Sequence, residues 1–308
     1  MELGKGNMKK YEEYNKCVLC PRECGANRNE NKKGICKVSD QIVLARAALH
    51  YWEEPCISGE KGSGAVFFAG CNLHCVFCQN EEISWGTTGK IIDESRLAEI
   101  FLELEEQGAN NINLVTAGQY LPQVISAVEG ARNQGMKLPV VYNTSGYEKA
   151  DSIKRLEGIV DVYLPDFKYM STELSGKYSN APDYSEVAKL AIEEMVRQQS
   201  SCSFDEEGII RKGVIVRHLL LPGGLKDSKR IIKYLNRTYG NKIYISLMSQ
   251  YTPLAHVKKY PQLNRRVTER EYNHLVDYAL EIGVLNGFTQ EREVAEESFI
   301  PHFDETGV

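Results

Sequence analysis

Three cysteines lie close together in the segment C-N-L-H-C-V-F-C, at positions Cys71, Cys75 and Cys78. Thiolates spaced in this way on one loop can converge on a metal group. Iron–sulfur clusters are normally held by cysteine thiolates, four for a complete set. Because this motif supplies only three, one iron would lack a protein ligand and could bind a substrate or cofactor. An open coordination position also distinguishes catalytic zinc from structural zinc.

A zinc site and simple burial in the core are the alternatives for these three cysteines. A zinc site would need a fourth ligand, for which His74 is a candidate. Unligated cysteines are also common in protein cores. Packing accounts poorly, however, for three cysteines on one polar loop that directly follows an apolar run. We therefore interpret Cys71, Cys75 and Cys78 as ligands of an iron–sulfur cluster.

A second cysteine group lies upstream in the pattern C-x2-C-x3-C-x11-C, with members Cys17, Cys20, Cys24 and Cys36. The segment is rich in loop-forming residues and too short to bury a core of its own, so a metal could hold it together. CxxC is typical of zinc sites, but the second half of the pattern is not another CxxC. A second, fully ligated iron–sulfur cluster would also fit. The spacing predicts a metal without choosing between zinc and iron.

Composition excludes several classes of function. The chain has 308 residues, a net charge of −5 and a pI of about 5.8, which argues against a protein that binds nucleic acid through its phosphates. No apolar run has the length of a membrane span, and the N-terminal residues contain no apolar signal region. A cytoplasmic location is therefore expected. There, cysteine clusters are more often metal sites than disulfide frameworks.

A strand–helix rhythm begins near the three-cysteine motif and positions it. Apolar runs predict six strands, at residues 65–69, 112–116, 138–142, 160–164, 214–221 and 243–248. Helical apolar spacing follows each run; one example is a predicted helix over residues 93–107 that ends before Gly108. Alternating β/α units imply parallel strands. The predicted fold class is α/β, with a curved barrel-like sheet or an open one and function at the C-terminal strand ends.

The C-x3-C-x2-C spacing, with Phe77 just before the last cysteine, resembles the radical S-adenosylmethionine superfamily. The stretch GSGAVFFAGCNLHCVFCQN (residues 62–80), with HYWEEPCISG (residues 50–59), is similar to its branch of pyruvate formate-lyase activating enzyme-like proteins. Further matching segments are NLVTAGQYLPQ (113–123), VVYNTSGYE (140–148), VDVYLPDFKY (160–169), VRHLLLPG (216–223) and LMSQYTP (247–253). The resemblance thus covers most of the chain.

The resemblance implies a partial (β/α)6 barrel of the TIM type. It also implies that S-adenosylmethionine binds the fourth iron of a 4Fe-4S cluster through its amino and carboxylate groups. Reduction would then give a 5′-deoxyadenosyl radical that takes a hydrogen atom from a substrate. We expect residues 1–58 to form a cysteine-rich metal-binding extension and residues 59–308 to form the barrel.

The resemblance also implies cofactor contacts at the strand ends. The candidates are Phe77, Gly118, Gln119, Asn143, Thr144, Asp166, Lys168 and Gln250. Lys168 is expected to pair with the carboxylate of the cofactor, and Asp166 with its ammonium group or ribose. Asn143 stands where relatives carry an anionic ligand. The alternative for all of these positions is a polar loop residue that caps a helix or satisfies the backbone. Arg217 and His218 are interpreted as structural residues.

The sequence therefore predicts a radical S-adenosylmethionine enzyme. Activation of a glycyl-radical enzyme is one possible role, and the substrate could equally be another protein, a peptide or a small molecule. A flavodoxin or a ferredoxin is the expected electron donor. The alternatives are a non-catalytic iron–sulfur electron carrier, which would leave the strand-end loops with nothing to bind, and a zinc-stabilised module that binds a partner.

Overall fold

Strands and helices alternate along most of the chain in the computed structural model, which describes residues 10–289 and 301–308. The strands are β1 (Ile42–His50), β2 (Ser63–Phe68), β3 (Lys90–Ile92), β4 (Ile112–Val115), β5 (Val140–Thr144), β6 (Val162–Pro165), β7 (Ser203–Phe204), β8 (Ile210–Leu219), β9 (Tyr244–Met248) and β10 (Gly287–Thr289). The helices are α1 (Pro55–Ser58), α2 (Glu81–Ser84), α3 (Glu94–Glu106), α4 (Leu121–Asn133), α5 (Ala150–Lys154), α6 (Thr172–Ser179), α7 (Tyr184–Gln198), α8 (Leu225–Tyr239) and α9 (Glu269–Glu281).

One sheet runs through the fold in the order β10-β9-β8-β6-β5-β4-β2-β1-β3. From β2 to β10 all neighbouring strands on this path are parallel, and among the described residues the sheet does not close on itself. The predicted α/β class with a partial (β/α)6 barrel is therefore confirmed. All six predicted strands are present with shifted ends, and β10 adds a short seventh parallel strand.

The helices form because their apolar residues repeat on one face. In α3 the buried residues Leu97, Ile100, Phe101 and Leu104 follow helical spacing, and the helix packs against α4. Its start is fixed by Asp93, whose carboxylate accepts a hydrogen bond from the backbone N–H of Arg96 at 2.8 Å. In the described part of the chain, no helix is long and apolar enough to cross a membrane.

Two antiparallel strands extend the sheet beyond β2. Strand β1 pairs along β2, and β3 pairs along β1. The C-terminal residues lie against β1 as well, because the N–H of Ala47 donates to the carbonyl of Thr306 at 2.9 Å. Residues 42–50, which were expected to belong to the extension, thus form part of the sheet, and residues 10–41 contain only short 3-10 turns.

Candidate active site

The three-cysteine motif lies on the loop that follows β2. The chain leaves β2 through Gly70, which has a φ of +86°, and an added Cβ there would lie 2.6 Å from the carbonyl oxygen of Cys36. A glycine is required at this close approach. Cys71, Cys75 and Cys78 then line one cavity of about 250 Å³. This cavity also receives the C-terminal ends of β5, β6, β8 and β9, where the sequence predicted a site.

A network of charged side chains lines the same cavity. The guanidinium of Arg217 donates to Asp166 Oδ1 at 2.9 Å, to Glu53 Oε2 at 3.0 Å and to Asn143 Oδ1. Lys168 Nζ donates to the other oxygen of Asp166 at 2.6 Å. Because each charge has an opposite partner, these buried groups can stay ionised.

The pKa shifts of this network follow from its geometry. Burial on its own would raise the pKa of Asp166, but the Lys168 and Arg217 cations outweigh it and hold that pKa below its ordinary value. Burial would lower the pKa of Lys168, and the Asp166 carboxylate outweighs it and raises that pKa instead. Both side chains therefore carry charge at neutral pH, as recognition of a charged ligand requires.

The donor set at the three cysteines fits an iron–sulfur cluster. Burial raises the pKa of Cys71, Cys75 and Cys78, while Lys168 lowers it in each case. As like charges, the Cys75 thiol also raises the pKa of Cys71, and the Cys71 and Cys75 thiols raise that of Cys78. Iron bound to the sulfurs would relieve this repulsion. In a 4Fe-4S cluster each thiolate binds its own iron, so the sulfurs surround the cluster rather than a single ion. In the described residues, no three His, Cys, Asp or Glu side chains are arranged to hold one metal ion.

Most of the predicted cofactor contacts line this cavity. These are Phe77, Asn143, Thr144, Asp166, Lys168 and Gln250. Phe77 packs edge-on against Tyr169 and Tyr251, with ring centres 6.4 Å and 6.2 Å apart. The Gln250 carbonyl accepts a hydrogen bond from the Gln79 amide at 3.1 Å. The structure thus brings six of the eight predicted contacts together with the three cysteines.

Gly118 and Gln119 have different surroundings. The side-chain amide of Gln119 donates to the carbonyls of Ala69, Gly70 and Thr116 at 3.1, 3.0 and 2.7 Å. It therefore ties the end of β2 to the turn after β4. An added Cβ at Gly118 would lie 2.8 Å from the buried Glu148 carboxyl group.

Two residues of the network are not indicated as site residues by the sequence. Glu53 belongs to the segment that follows β1, a strand that was not predicted. An acidic pair, Glu53 and Glu54, directly after a strand is the signal that could have indicated it. Arg217 was interpreted as a structural residue, and its ion pairs lie in the cavity. His218, in contrast, is held between the Phe167 carbonyl and the Ser228 hydroxyl, in agreement with a structural role.

The four upstream cysteines line a second, smaller cavity, of about 10 Å³. Gln119 lines it too, and so does Asn72, the residue that follows Cys71. The second cavity thus borders the loop that carries Cys71.

Comparison with known proteins assigns the family. Residues 65–223 match the family model of the Radical SAM superfamily. The match covers just over half of the chain, and the chain belongs to this superfamily. Membership implies a 4Fe-4S cluster and S-adenosylmethionine. The uncharacterized protein MJ0674 of Methanocaldococcus jannaschii is 29% identical over 274 residues, which is 86% of this chain and 75% of that protein.

Solved structures with similar folds share little sequence with the chain. The match to HydG, a maturase of the [FeFe]-hydrogenase, covers 75% of this chain and 52% of HydG, with a TM-score of 0.49 and 13% identity. The match to SuiB of Streptococcus suis, solved with S-adenosylmethionine, covers 73% of this chain and 49% of SuiB, with a TM-score of 0.46 and 12% identity. The match to a domain of a pyruvate-formate lyase-activating enzyme from Bacteroides vulgatus covers 59% of this chain and 100% of that domain, with a TM-score of 0.40 and 13% identity. The chain spans about half the length of HydG and SuiB.

Proposed function

We propose that this chain is an enzyme that binds S-adenosylmethionine at a 4Fe-4S cluster on Cys71, Cys75 and Cys78 and abstracts a hydrogen atom from a substrate. The observation that carries the proposal is that the three thiols and the charged network share one cavity. When bound on Cys71, Cys75 and Cys78, the cluster together with S-adenosylmethionine would supply radical chemistry: a one-electron reductive cleavage that would release methionine and let the 5′-deoxyadenosyl group accept the hydrogen atom.

The charged network suits the zwitterionic methionyl end of S-adenosylmethionine. Lys168 Nζ has three N–H donors, and one of them is used by Asp166. We assign the carboxylate to Lys168 because each of the three nitrogens of Arg217 already donates, to Asp166, Glu53 and Asn143. Asp166 accepts the ammonium group or the ribose. Opposite charges in a partly closed cavity favour such a ligand and orient it.

The remaining cavity residues position the cofactor and exclude water. Polar contacts come from Asn143, Thr144 and Gln250. The apolar part of the cavity wall is formed by Phe77 and Met248. Exclusion of water strengthens the charge interactions and protects a reactive species from side reactions. Gly118 and Gln119 do not contact the cofactor in this proposal. Gln119 instead holds the turn from which Thr116 reaches the cavity.

The substrate is proposed to be a protein, a peptide or a small molecule, and a glycyl-radical enzyme is one case. The side chains of Tyr51 and Trp52 are half exposed, and Trp52 lines the cavity. An aromatic rim of this kind offers an approach surface for a substrate larger than the cavity. A cytoplasmic flavodoxin or ferredoxin is the proposed electron donor.

Product analysis tests this function. The protein is reconstituted anaerobically with iron and sulfide, then incubated with dithionite and S-adenosylmethionine, and 5′-deoxyadenosine is measured. We expect product from the wild type and from the Cys202→Ala control, whose thiol lies outside both cysteine groups. The Cys71→Ala/Cys75→Ala/Cys78→Ala variant should give none. Absence of 5′-deoxyadenosine from a wild-type sample that holds its full complement of iron would overturn the proposal.

A further inference from the structure

Arg28 is a buried cation that has no carboxylate partner among the residues the structure describes. Its side chain is 1% exposed, and none of the ion pairs found in residues 10–289 and 301–308 includes it. The guanidinium donates to the carbonyls of Ser39 at 2.9 Å and Gln119 at 2.6 Å and lies 3.9 Å from the ring centre of Tyr14. These contacts satisfy its donors without supplying a negative charge. A buried charge is costly unless it is paired, so an anion is expected beside it.

One of the upstream cysteines contacts this cation. Cys17 Sγ lies 3.9 Å from Arg28 Nη1. Cys17, Cys36 and Arg28 line the same small cavity, together with Cys20 and Cys24. One buried cation and four sulfurs thus border the same enclosed space.

Gly34 allows two of the sulfurs to approach one point. An added Cβ there would lie 3.1 Å from Cys24 Sγ and 3.3 Å from Cys36 Sγ. A side chain at this position would crowd both sulfurs. The glycine therefore leaves room for thiolates to converge, which is what a shared metal group requires.

From these observations we propose that Cys17, Cys20, Cys24 and Cys36 hold a metal centre of net negative charge and that Arg28 is its buried counter-cation. As at the three-cysteine loop, the described residues do not gather their ligands around a single ion, which favours a cluster over zinc. Four thiolates around an oxidised 4Fe-4S core carry a net charge of about −2, and such a centre supplies the missing anion. This four-thiolate site is separate from the three-cysteine cluster and independent of S-adenosylmethionine cleavage.

This centre would brace the loop that carries the catalytic cysteines. Arg22, between Cys20 and Cys24, donates to the carbonyls of Asn72 at 2.8 Å and Ser179 at 3.0 Å. The His74 ring contacts the carbonyl of Ile35, the residue before Cys36, at 2.9 Å. Metal binding that fixes the four cysteines would therefore also fix the loop that follows Cys71.

Metal analysis of a variant without the three-cysteine cluster tests the site. The Cys71→Ala/Cys75→Ala/Cys78→Ala variant is purified anaerobically, and its iron, zinc and acid-labile sulfide are measured. The proposal expects about four irons with four sulfides per chain, and zinc in place of iron would overturn it. Adding Cys17→Ala and Cys36→Ala should remove that metal, whereas adding Cys202→Ala should not. A triple variant with no more metal than the five-alanine variant would overturn the proposal, whatever the wild type does with S-adenosylmethionine.

The role of Arg28 is tested by the rate at which a chelator removes this metal. In the triple-variant background, Arg28→Lys keeps the charge and Arg28→Met removes it. We expect the metal to leave at least tenfold faster from Arg28→Met than from Arg28→Lys, with far-UV circular dichroism showing that both are folded. Equal rates would overturn the counter-cation role. Should Arg28→Met not fold, the metal content of the triple variant, which keeps Arg28, still decides whether the anionic centre exists.

Discussion

Arg217 and Asp166 are joined side chain to side chain and backbone to backbone. Arg217 Nε donates to Asp166 Oδ1 at 2.9 Å, and the N–H of Phe167, the next residue, donates to the Arg217 carbonyl at 2.8 Å. Because the backbone fixes both residues, the ion pair is preorganised at the C-terminal ends of β6 and β8. It leaves the second oxygen of Asp166 for Lys168.

Removal of Arg217 should destabilise the fold. Arg217→Met would leave Glu53 and Asp166 buried without their main cation, and loss of one partner of a buried pair costs about 3–5 kcal/mol. Urea denaturation measures the change in the free energy of unfolding. In the control, Arg155→Met removes a more exposed ion pair with Glu13 and should cost no more than about 1 kcal/mol. Equal losses in the two variants would show that the network is not the buried, paired structure described.

Lys168 should set the affinity for S-adenosylmethionine. Lys168→Met removes a charge-assisted hydrogen bond to the carboxylate, worth about 1.5–3 kcal/mol, so Kd should rise about 10- to 100-fold. Lys168→Arg should recover part of the loss. Lys177 lines a different cavity from the one that holds the three cysteines, so Lys177→Met is the control and should leave Kd unchanged. Equilibrium binding to the reconstituted protein measures this, and an unchanged Kd in Lys168→Met would rule out the proposed carboxylate contact.

Ser179 should tune the reduction potential of the catalytic cluster. Its hydroxyl lies 3.1 Å from Cys75 Sγ. Hydrogen bonds to ligand sulfurs stabilise the more negative, reduced state, so Ser179→Ala should shift the potential to a more negative value. A spectroelectrochemical titration measures the shift. Ser185→Ala, which removes a hydroxyl that contacts Met170, is the control. An equal or more positive potential in Ser179→Ala would contradict the contact.

Two glycine substitutions should change stability in opposite directions. An added Cβ at Gly118 would lie 2.8 Å from Glu148 Oε1 and 3.0 Å from the Tyr142 hydroxyl, so Gly118→Ala should cost about 1–3 kcal/mol. At Gly130, inside α4, the nearest atom would be 3.7 Å away. Gly130→Ala should therefore stabilise the protein by about 0.5–1 kcal/mol. Thermal or urea unfolding of both variants checks the pair. A harmless Gly118→Ala would mean that this turn is not tightly packed.

Glu148 should make stability fall as the pH rises. Burial raises the pKa of Glu148 from its ordinary 4.5 to about 7. Between these values the folded state holds a proton that the unfolded state has lost, so the free energy of unfolding decreases by about 3 kcal/mol from pH 4.5 to above pH 7. Glu148→Gln lacks this contribution. The difference between wild type and variant should therefore grow in favour of the variant from pH 5 to pH 8, and a constant difference would show that Glu148 is not buried as a neutral acid.

The sequence predicted the parts of the site that rest on local pattern. The three cysteines form a C-x3-C-x2-C motif that the sequence itself displays, and each parallel strand has its own apolar run. Since parallel strands end at one edge, the pattern placed Asp166 and Lys168 at the same edge as the cysteines, and the family resemblance singled them out as cofactor contacts. The order of β/α units predicted a parallel sheet, either open or barrel-like, and the family resemblance implied the partial barrel.

Features that depend on contacts distant in sequence could not be predicted in this way. Glu53 reaches Arg217 across 164 positions of the chain, through the unpredicted strand β1. Gln119 carries a polar side chain at a strand end, which suits a cofactor contact, yet its amide is used by three backbone carbonyls. Arg28 resembles any surface arginine in sequence, and only its burial beside Cys17 makes it notable.

Electron paramagnetic resonance of the dithionite-reduced protein, recorded with and without S-adenosylmethionine, tests the central claim most directly. If the cluster on Cys71, Cys75 and Cys78 has an iron open to the cofactor, ligand binding must change the spectrum of that cluster. The account predicts a changed signal in the wild type and no change in the Cys71→Ala/Cys75→Ala/Cys78→Ala variant. Superimposable wild-type spectra at saturating S-adenosylmethionine would contradict it.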